Sequence, residues 1–344
     1  MGLGSNISRK TLSKSGSDEP LTKIKPLVWE RKKVDDNAKY GKNIALLGLP
    51  MAGKTNLLLQ HGFFNSKFIP YIKEAGFHEI VELLKSGFLP EIEKIVIIES
   101  ENNLLKALND GIEKALYKPL RDIIDIIPIT IPRKNVVIRG GKLVNINKEI
   151  LSQVREKYKE TVKALVDDEP ETTLLGIDSA SKYKKLLDDK IGTAIDLVEK
   201  RANASLEGLD KYTMIAYAHR NTEWEEVMEY IRGFRGWNID TFKESKTPKF
   251  VLDKDPSADE LSTKWVTGTE HFLDIVWRIT ALSNGVRQVE IVDGQSRYLP
   301  SKAELLKPFK IPMDSRMAAM PLISRMTEKL MLGETDNDEQ FWGV

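Results

Sequence analysis

The sequence predicts an α/β domain, because short apolar runs alternate along the chain with longer stretches of helical spacing. Five runs are rich in Ile, Val, Leu and Thr and have the length of buried parallel strands. They are residues 43–48, 94–100, 125–131, 172–178 and 212–219. Helical spacing separates several of them, as at Ile150, Leu151, Val154, Tyr158, Val162 and Leu165, and again at Leu186, Leu187, Ile191, Ile195 and Val198. This alternation indicates a mainly parallel sheet flanked by helices.

The pattern changes after about residue 250, where short segments follow one another with turns between them. These segments are 250–253, 271–279 and 287–293, and the turn Ser283-Asn284-Gly285 separates the last two. Such spacing predicts an antiparallel extension with a hairpin at one edge of the sheet. We expect a basic, flexible tail over 1–40, one domain over 41–300 with insertions near 60–93 and 117–170, and a helical segment with an acidic tail over 301–344.

Composition excludes several classes of protein. The chain has 344 residues, 52 Lys and Arg against 51 Asp and Glu, and no cysteine. A disulfide scaffold, a thiolate zinc site and a cysteine nucleophile are therefore impossible. No apolar run approaches the roughly 20 residues that cross a bilayer. We expect a cytoplasmic protein, or one in the host cytoplasm if the source is viral, with no membrane partner.

The strongest local signal is the segment GLPMAGKT, which follows the first predicted strand and fits the pattern G-x-x-x-x-G-K-[ST]. Its residues, with the one that follows, are Gly48, Leu49, Pro50, Met51, Ala52, Gly53, Lys54, Thr55 and Asn56. Glycines let backbone N–H groups turn toward phosphate oxygens, while the lysine reaches the β- and γ-phosphates. The Thr55 hydroxyl is a magnesium ligand in this pattern. The segment predicts a nucleoside triphosphate site with ATP and Mg²⁺ as cofactors.

Acidic residues at the ends of two other predicted strands suit the same chemistry. Asp178 ends the run 172–178, where a carboxylate would hold magnesium; the alternative is that it caps the next helix. Glu99 and Glu101 end the run that starts at residue 94. Either could polarise an attacking water, and because side chains two residues apart point the same way, strand alternation does not choose between them.

Polar residues also follow the last predicted strand, 212–219. His219 and Arg220 would lie at the carboxyl edge of the sheet, where His219 could sense the γ-phosphate or simply be a satisfied strand-end residue. No Asn-Lys-x-Asp pattern for guanine and no G-x-S-x-G nucleophile pattern is present.

The segment YIRGFRGWN, residues 230–238, interleaves Arg232 and Arg235 with glycines, Phe234 and Trp237. Guanidinium groups and exposed aromatic rings suit single-stranded nucleic acid, whereas the alternative is an ordinary loop with packed aromatics. Lys243, Lys246 and Lys249 follow, and they could reach a neighbouring subunit's nucleotide or form a solvated face.

In this order of parts, residues 42–300 resemble the RecA-like ATPases, the group that contains RecA, RadA, KaiC and the short recombination ATPases of bacteriophages. The matches are GLPMAGKT, IIESE at 97–101, LLGIDSAS at 174–181 and IAYAHRN at 215–221. The resemblance implies a RecA-like core in which Glu101 activates water, Asp178 holds magnesium and His219 is a polar sensor. It also implies ring or filament assembly, with Arg220, Lys246 and Lys249 as candidates to complete a neighbour's site.

Together these features predict a magnesium-dependent ATPase that acts on DNA, preferably single-stranded, in recombination, repair or replication. Arg220, Arg232, Arg235, Trp237, Lys246 and Lys249 are the candidate DNA or inter-subunit contacts. Two alternatives remain: a DNA-packaging or helicase-type motor, and a KaiC-like protein whose nucleotide state sets its assembly.

Overall fold

The structure is a computed structural model, and it describes most of the chain from residue 42 to residue 311. The described residues are 42–74, 81, 85, 91–101, 104–109, 118–130, 136–139, 142–146, 148–188, 206–246, 261–282, 286–292 and 309–311. All of them belong to one compact unit. In this part of the chain, no helix is both long enough and apolar enough to cross a membrane.

A nine-stranded sheet forms the centre of the domain. Its strands are β1 (Lys42–Gly48), β2 (Lys94–Glu99), β3 (Ile124–Pro128), β6 (Thr173–Asp178), β7 (Trp237–Lys246), β8 (Leu261–Thr263), β9 (Ile275–Ala281), β10 (Arg287–Ile291) and β11 (Phe309–Ile311). The order is β3-β2-β6-β7-β1-β9-β10-β11, and the first six strands are parallel. β10 is antiparallel to both neighbours, and β8 pairs antiparallel with β7. Two further strands, β4 (Val136–Arg139) and β5 (Lys142–Ile146), form a separate antiparallel ribbon.

Helices cover both faces of the sheet. They are α1 (Lys54–Gln60), α2 (Ile69–Glu74), α3 (Leu104–Asn109), α4 (Lys148–Asp168), α5 at 180–188 and α6 (Leu206–Arg232), with short 3₁₀ turns at His61–Phe63, Ser66–Phe68, Lys118–Ile123 and Thr269–Phe272. One core cluster includes α1 and the strand residues Ile44, Leu46, Ile97, Leu174 and Ile239. The other includes Ala45, Leu47, Ile177 and Phe242 with Tyr158, Tyr183 and Trp224 of the helices. Alternate residues of the central strands therefore pack into the two core clusters on opposite faces of the sheet.

The α/β prediction is confirmed, together with the mainly parallel sheet and its antiparallel edge. Four of the five predicted strands are present as β1, β2, β3 and β6, and the predicted helix that starts near Ile150 is α4. The segments 271–279 and 287–293 contain β9 and β10. The predicted strand 250–253 and the turn 283–285 lie outside the described residues.

The prediction of a strand over 212–219 is wrong, because these residues lie inside helix α6. Short apolar runs do not distinguish a strand from a helix by themselves. From residue 214 onward, the buried hydrophobic residues of α6 are Trp224, Val227, Met228 and Ile231, and their spacing is helical. In the misread run, Met214 keeps 73% of its surface exposed.

The strand that takes its place in the sheet is β7, the neighbour of β1 on one side and of β6 on the other. Its sequence WNIDTFKESK reads as a loop, since polar residues occupy both faces. Asn238, Asp240 and Thr241 are nevertheless fully buried. Polar residues in a central strand hide it from any search for apolar runs.

Asp240 is a buried acid in the middle of the sheet, and neither of its carboxylate oxygens has a hydrogen-bond partner among the described residues. Burial raises its pKa to about 7, although the neighbouring Asn238 amide opposes the shift. The folded state therefore keeps the proton that the unfolded chain loses near its ordinary pKa of about 4. The contribution of this proton to the free energy of unfolding is therefore complete below about pH 4, and it is lost as the pH rises toward 7.

We expect the substitution Asp240→Asn to remove this pH dependence. Relative to the unmodified protein, the variant should gain about 3 kcal/mol of unfolding free energy between pH 5 and pH 8. Urea unfolding at the two pH values measures the difference, and Asp125→Asn at an exposed carboxylate is the control. Equal differences at both pH values would show that burial does not hold a proton on Asp240.

Candidate functional site

The segment 48–55 joins β1 to α1, as the sequence predicts for a phosphate-binding loop. Two of its positions require glycine. A Cβ atom at Gly48 would lie 2.6 Å from the backbone oxygen of Ile279, and Gly53 has a φ of 99°, in the left-handed region. Met51, at the tip, is 92% exposed. The loop therefore adopts a backbone path that few other sequences would tolerate.

Lys54 curls back over the loop that precedes it. Its Nζ donates to the backbone oxygens of Gly48 at 2.8 Å and Leu49 at 3.0 Å. Burial lowers the pKa of Lys54 from its usual value, while the Asp178 carboxylate opposes that shift and the Lys243 ammonium adds to it. The lysine is thus a buried cation at the centre of the loop, with the charged ends of other strands close to it.

Thr55 and Asp178 are brought together across 123 residues of sequence. The Thr55 hydroxyl donates to one Asp178 oxygen at 2.6 Å, and the Thr241 hydroxyl donates to the other at 2.6 Å. The pairing of a hydroxyl with a carboxylate fits the all-oxygen ligand set that Mg²⁺ prefers. The expectation that Asp178 lies beside the loop agrees with this geometry, while its alternative as a cap for the next helix loses support.

A small residue on β6 allows this approach. Gly176 lies two residues before Asp178 and so faces the same side of the sheet. A Cβ atom there would meet the Leu58 side chain of α1 at 2.9 Å and Ile97 at 3.2 Å. Because Gly176 has no side chain, α1 packs closely against β6, and Thr55 in the first turn of α1 can reach Asp178.

The same alternation places four polar groups in a row at the carboxyl edge of the sheet. Ile97, Gly176 and Ile239 face α1, and the residues two or four places further on are Glu99, Asp178, Thr241 and Lys243. Parallel pairing keeps this row in register, with Glu99 opposite Asp178 and Gly48 opposite Lys243. A polar row therefore continues the apolar stripe of the sheet directly beside the loop.

Glu99 and Glu101 have different environments, which strand alternation alone did not reveal. Glu99 is 1% exposed and accepts the backbone N–H of Leu104 at 2.5 Å, at the start of α3. Glu101 lies just beyond the strand, is partly exposed and forms an ion pair with Lys243. Glu99 therefore supports the backbone, whereas Glu101 is the carboxylate that solvent can reach.

Lys243 lies at the candidate site, although the sequence predicts it only as the first member of a charge run. It is the β7 residue paired with Gly48 and the ion-pair partner of Glu101. Its backbone N–H donates to the Ser181 hydroxyl at 2.9 Å, which ties the strand to the start of α5. A correct assignment of β7 as a strand would have revealed it.

Arg287 reaches the loop from the opposite side. It is the first residue of β10, and its Nε donates to the backbone oxygen of Ala52 at 2.8 Å. A Cβ atom at Gly53 would lie 3.6 Å from the same Nε, so the guanidinium packs directly on that glycine. No sequence pattern marks this arginine, because the contact spans 235 residues.

The placement of His219 at the carboxyl edge of the sheet is wrong. His219 is an exposed residue of α6, so the strand-end sensor that the sequence predicted has no such position. Arg220, on the same helix, pairs with Asp188 of α5 at 3.0 Å and with the Asn221 side chain. This arginine links two helices of the same domain.

The expectation of exposed aromatic rings over 230–238 is wrong. Phe234 and Trp237 are each 2% exposed, and Trp237 begins β7 opposite Lys42, at the amino edge of the sheet. Arg232 and Arg235 are exposed but belong to that same edge, away from the phosphate-binding loop. Packing of the aromatics, the alternative considered from the sequence, is what the structure has.

The last two candidate contacts have different outcomes. Lys246 is exposed at the carboxyl end of β7, on the same edge as the loop. Lys249 lies outside the described residues.

In comparisons with known proteins, no protein-family model and no curated protein matches the chain.

Proposed function

We propose that the protein binds and hydrolyses ATP with magnesium. The observation that carries the proposal is the hydrogen bond between Thr55 and Asp178 at the mouth of a G-x-x-x-x-G-K-[ST] loop. The loop suits a polyphosphate, and the paired oxygens suit its metal ion. The two features come from distant parts of the chain, so their meeting at one edge of the sheet is independent support.

The roles of the residues follow from their positions. The backbone of 48–55, the Asn56 position at the start of α1 and the Lys54 ammonium would bind the phosphates. Thr55 and Asp178 would hold magnesium, which neutralises phosphate charge during transfer. Glu101 would orient the attacking water, since it is the solvent-accessible carboxylate of the pair. His219 has no role in this proposal.

We also propose a RecA-like core, from three of the four motifs in the sequence resemblance. GLPMAGKT, IIESE and LLGIDSAS supply the loop, Glu101 and Asp178, and the antiparallel strands β10 and β11 complete the layout. The fourth motif, IAYAHRN, gives no support because it is helical. The same resemblance motivates assembly into a ring or filament, which sizing of the protein with and without ATP would test.

DNA, preferably single-stranded, is the proposed partner, on the basis of the resemblance and of basic residues such as Lys246. The segment 230–238 no longer contributes to the argument. An ATPase acting on DNA should turn over faster when DNA is bound, and salt should weaken the effect because it competes for phosphate contacts.

Steady-state ATPase rates without DNA, with single-stranded DNA and with duplex DNA, each at two salt concentrations, test this partner. We expect single-stranded DNA to raise the rate, and less so at the higher salt concentration. Stimulation by duplex alone would favour a packaging or helicase-type motor. Rates that neither DNA changes would remove DNA as a partner and would leave the nucleotide site as proposed, as in a KaiC-like assembly protein.

A further inference from the structure

Arg287 and the magnesium-binding oxygens lie on opposite sides of the phosphate-binding loop. The strand that leads into the loop, β1, lies between β7 and β9 in the sheet. Asp178 and Thr241 approach from the β6–β7 side, where the Asp178 carboxylate accepts one hydrogen bond from Thr241 and one from Thr55. Arg287 approaches from the β9–β10 side, where it bonds to Ala52. The loop is therefore flanked by acidic and hydroxyl oxygens on one side and by a guanidinium on the other.

This asymmetry sets the direction in which a nucleotide would lie. In a loop of this kind the lysine and the magnesium ion serve the β- and γ-phosphates. The Thr55–Asp178 pair therefore fixes the terminal phosphates toward β6 and β7. The α-phosphate and the nucleoside would then lie away from that pair, and on the other side of the loop the described residues include the positively charged Arg287.

The chemistry of Arg287 suits that position. Its guanidinium stays charged and presents its donors in a planar fork that matches phosphate oxygens. The Nε bond to Ala52 fixes the plane of the group against the loop, so little side-chain entropy is lost when an anion binds. Gly53, on which it packs, immediately precedes Lys54, so the arginine lies next to the centre of the loop.

We propose that Arg287 binds the α-phosphate of the nucleotide and so determines the affinity for ATP and ADP alike. This inference rests on the proposed ATP-binding function. Because the α-phosphate does not change during hydrolysis of the terminal phosphate, the contact contributes equally to the ground state and the transition state. Its removal should therefore raise the dissociation constants of ATP and ADP by similar factors.

The test measures the dissociation constants of ATP, ADP and pyrophosphate for the unmodified protein, Arg287→Gln and Arg287→Lys. Pyrophosphate carries no nucleoside-bound phosphate, and it serves as the probe of the β- and γ-positions. We expect Arg287→Gln to weaken ATP and ADP by a similar factor, about 10-fold or more for one charge-assisted bond, and to leave pyrophosphate unchanged. Arg287→Lys should recover part of the loss.

Each other outcome has a defined meaning. Equal weakening of pyrophosphate would show that Arg287 acts only by supporting the loop, and unchanged nucleotide affinity would show that it binds nothing; either result overturns the inference. If the unmodified protein binds no nucleotide, the proposed function itself fails. Thermal unfolding of each variant confirms that the comparison is made between folded proteins.

Discussion

Replacing Lys54 with alanine is expected to weaken ATP binding by more than about 100-fold. The substitution removes the buried ammonium at the centre of the loop and the two bonds by which it holds the Gly48 and Leu49 oxygens. A charge-assisted hydrogen bond contributes about 1.5–3 kcal/mol, and two such bonds to phosphate account for the expected loss. Isothermal titration calorimetry with ATP and magnesium measures it directly.

The matched control is Lys94→Ala. Lys94 also pairs with carboxylates, at 2.7 Å from Glu169 and 3.4 Å from Asp125, but it begins β2 at the amino edge of the sheet. Its removal should leave ATP affinity unchanged. An ATP affinity that survives Lys54→Ala in a folded protein would mean that the loop is not where the nucleotide binds.

The substitution Glu101→Gln is expected to stop turnover while ATP still binds. A glutamine keeps the size of the side chain but cannot accept a proton from water, and positioned acid–base groups contribute about 10²- to 10⁴-fold to rate. The change also removes the ion pair with Lys243, so that ammonium becomes available to the phosphates and ATP should bind at least as tightly. Single-turnover phosphate release and calorimetry separate the two effects.

Glu99→Gln is the control for this prediction, because the residue lies two places earlier on the same strand. The Glu99 carboxylate accepts the Leu104 N–H, and the glutamine oxygen can accept the same bond. We therefore expect a much smaller effect on turnover. The reverse result, an inactive Glu99→Gln and an active Glu101→Gln, would assign water activation to the buried carboxylate.

The parts of the fold that the sequence predicted are those in which one local pattern determines the structure. The strands β1, β2 and β6 have buried apolar residues on both faces, as central parallel strands require. The loop 48–55 has a backbone path that its own glycines allow. Such features depend on short stretches of chain, so they can be identified without knowledge of what lies nearby.

The errors arose where distant parts of the chain decide the structure. β7 carries the buried polar residues Asp240 and Thr241, and the partner of Thr241 is Asp178 of β6, so its sequence does not have the pattern of a central strand. The sequence instead predicts a strand in the run that contains His219, and it gives that residue the role of a sensor. The run belongs to a helix. The positions of Lys243 and Arg287 beside the loop could not be predicted for the same reason, because they depend on contacts with Glu101 and Ala52.

The central claim is that this loop is a magnesium–ATP site, and calorimetric titration of the unmodified protein tests it most directly. ATP, ADP and AMP are titrated with magnesium and again with the metal chelated. The account predicts saturable binding of ATP to one site per chain, weaker without magnesium because Thr55 and Asp178 then have no ion to hold. Absence of saturable ATP binding at millimolar concentrations with magnesium, in a folded protein, would contradict it.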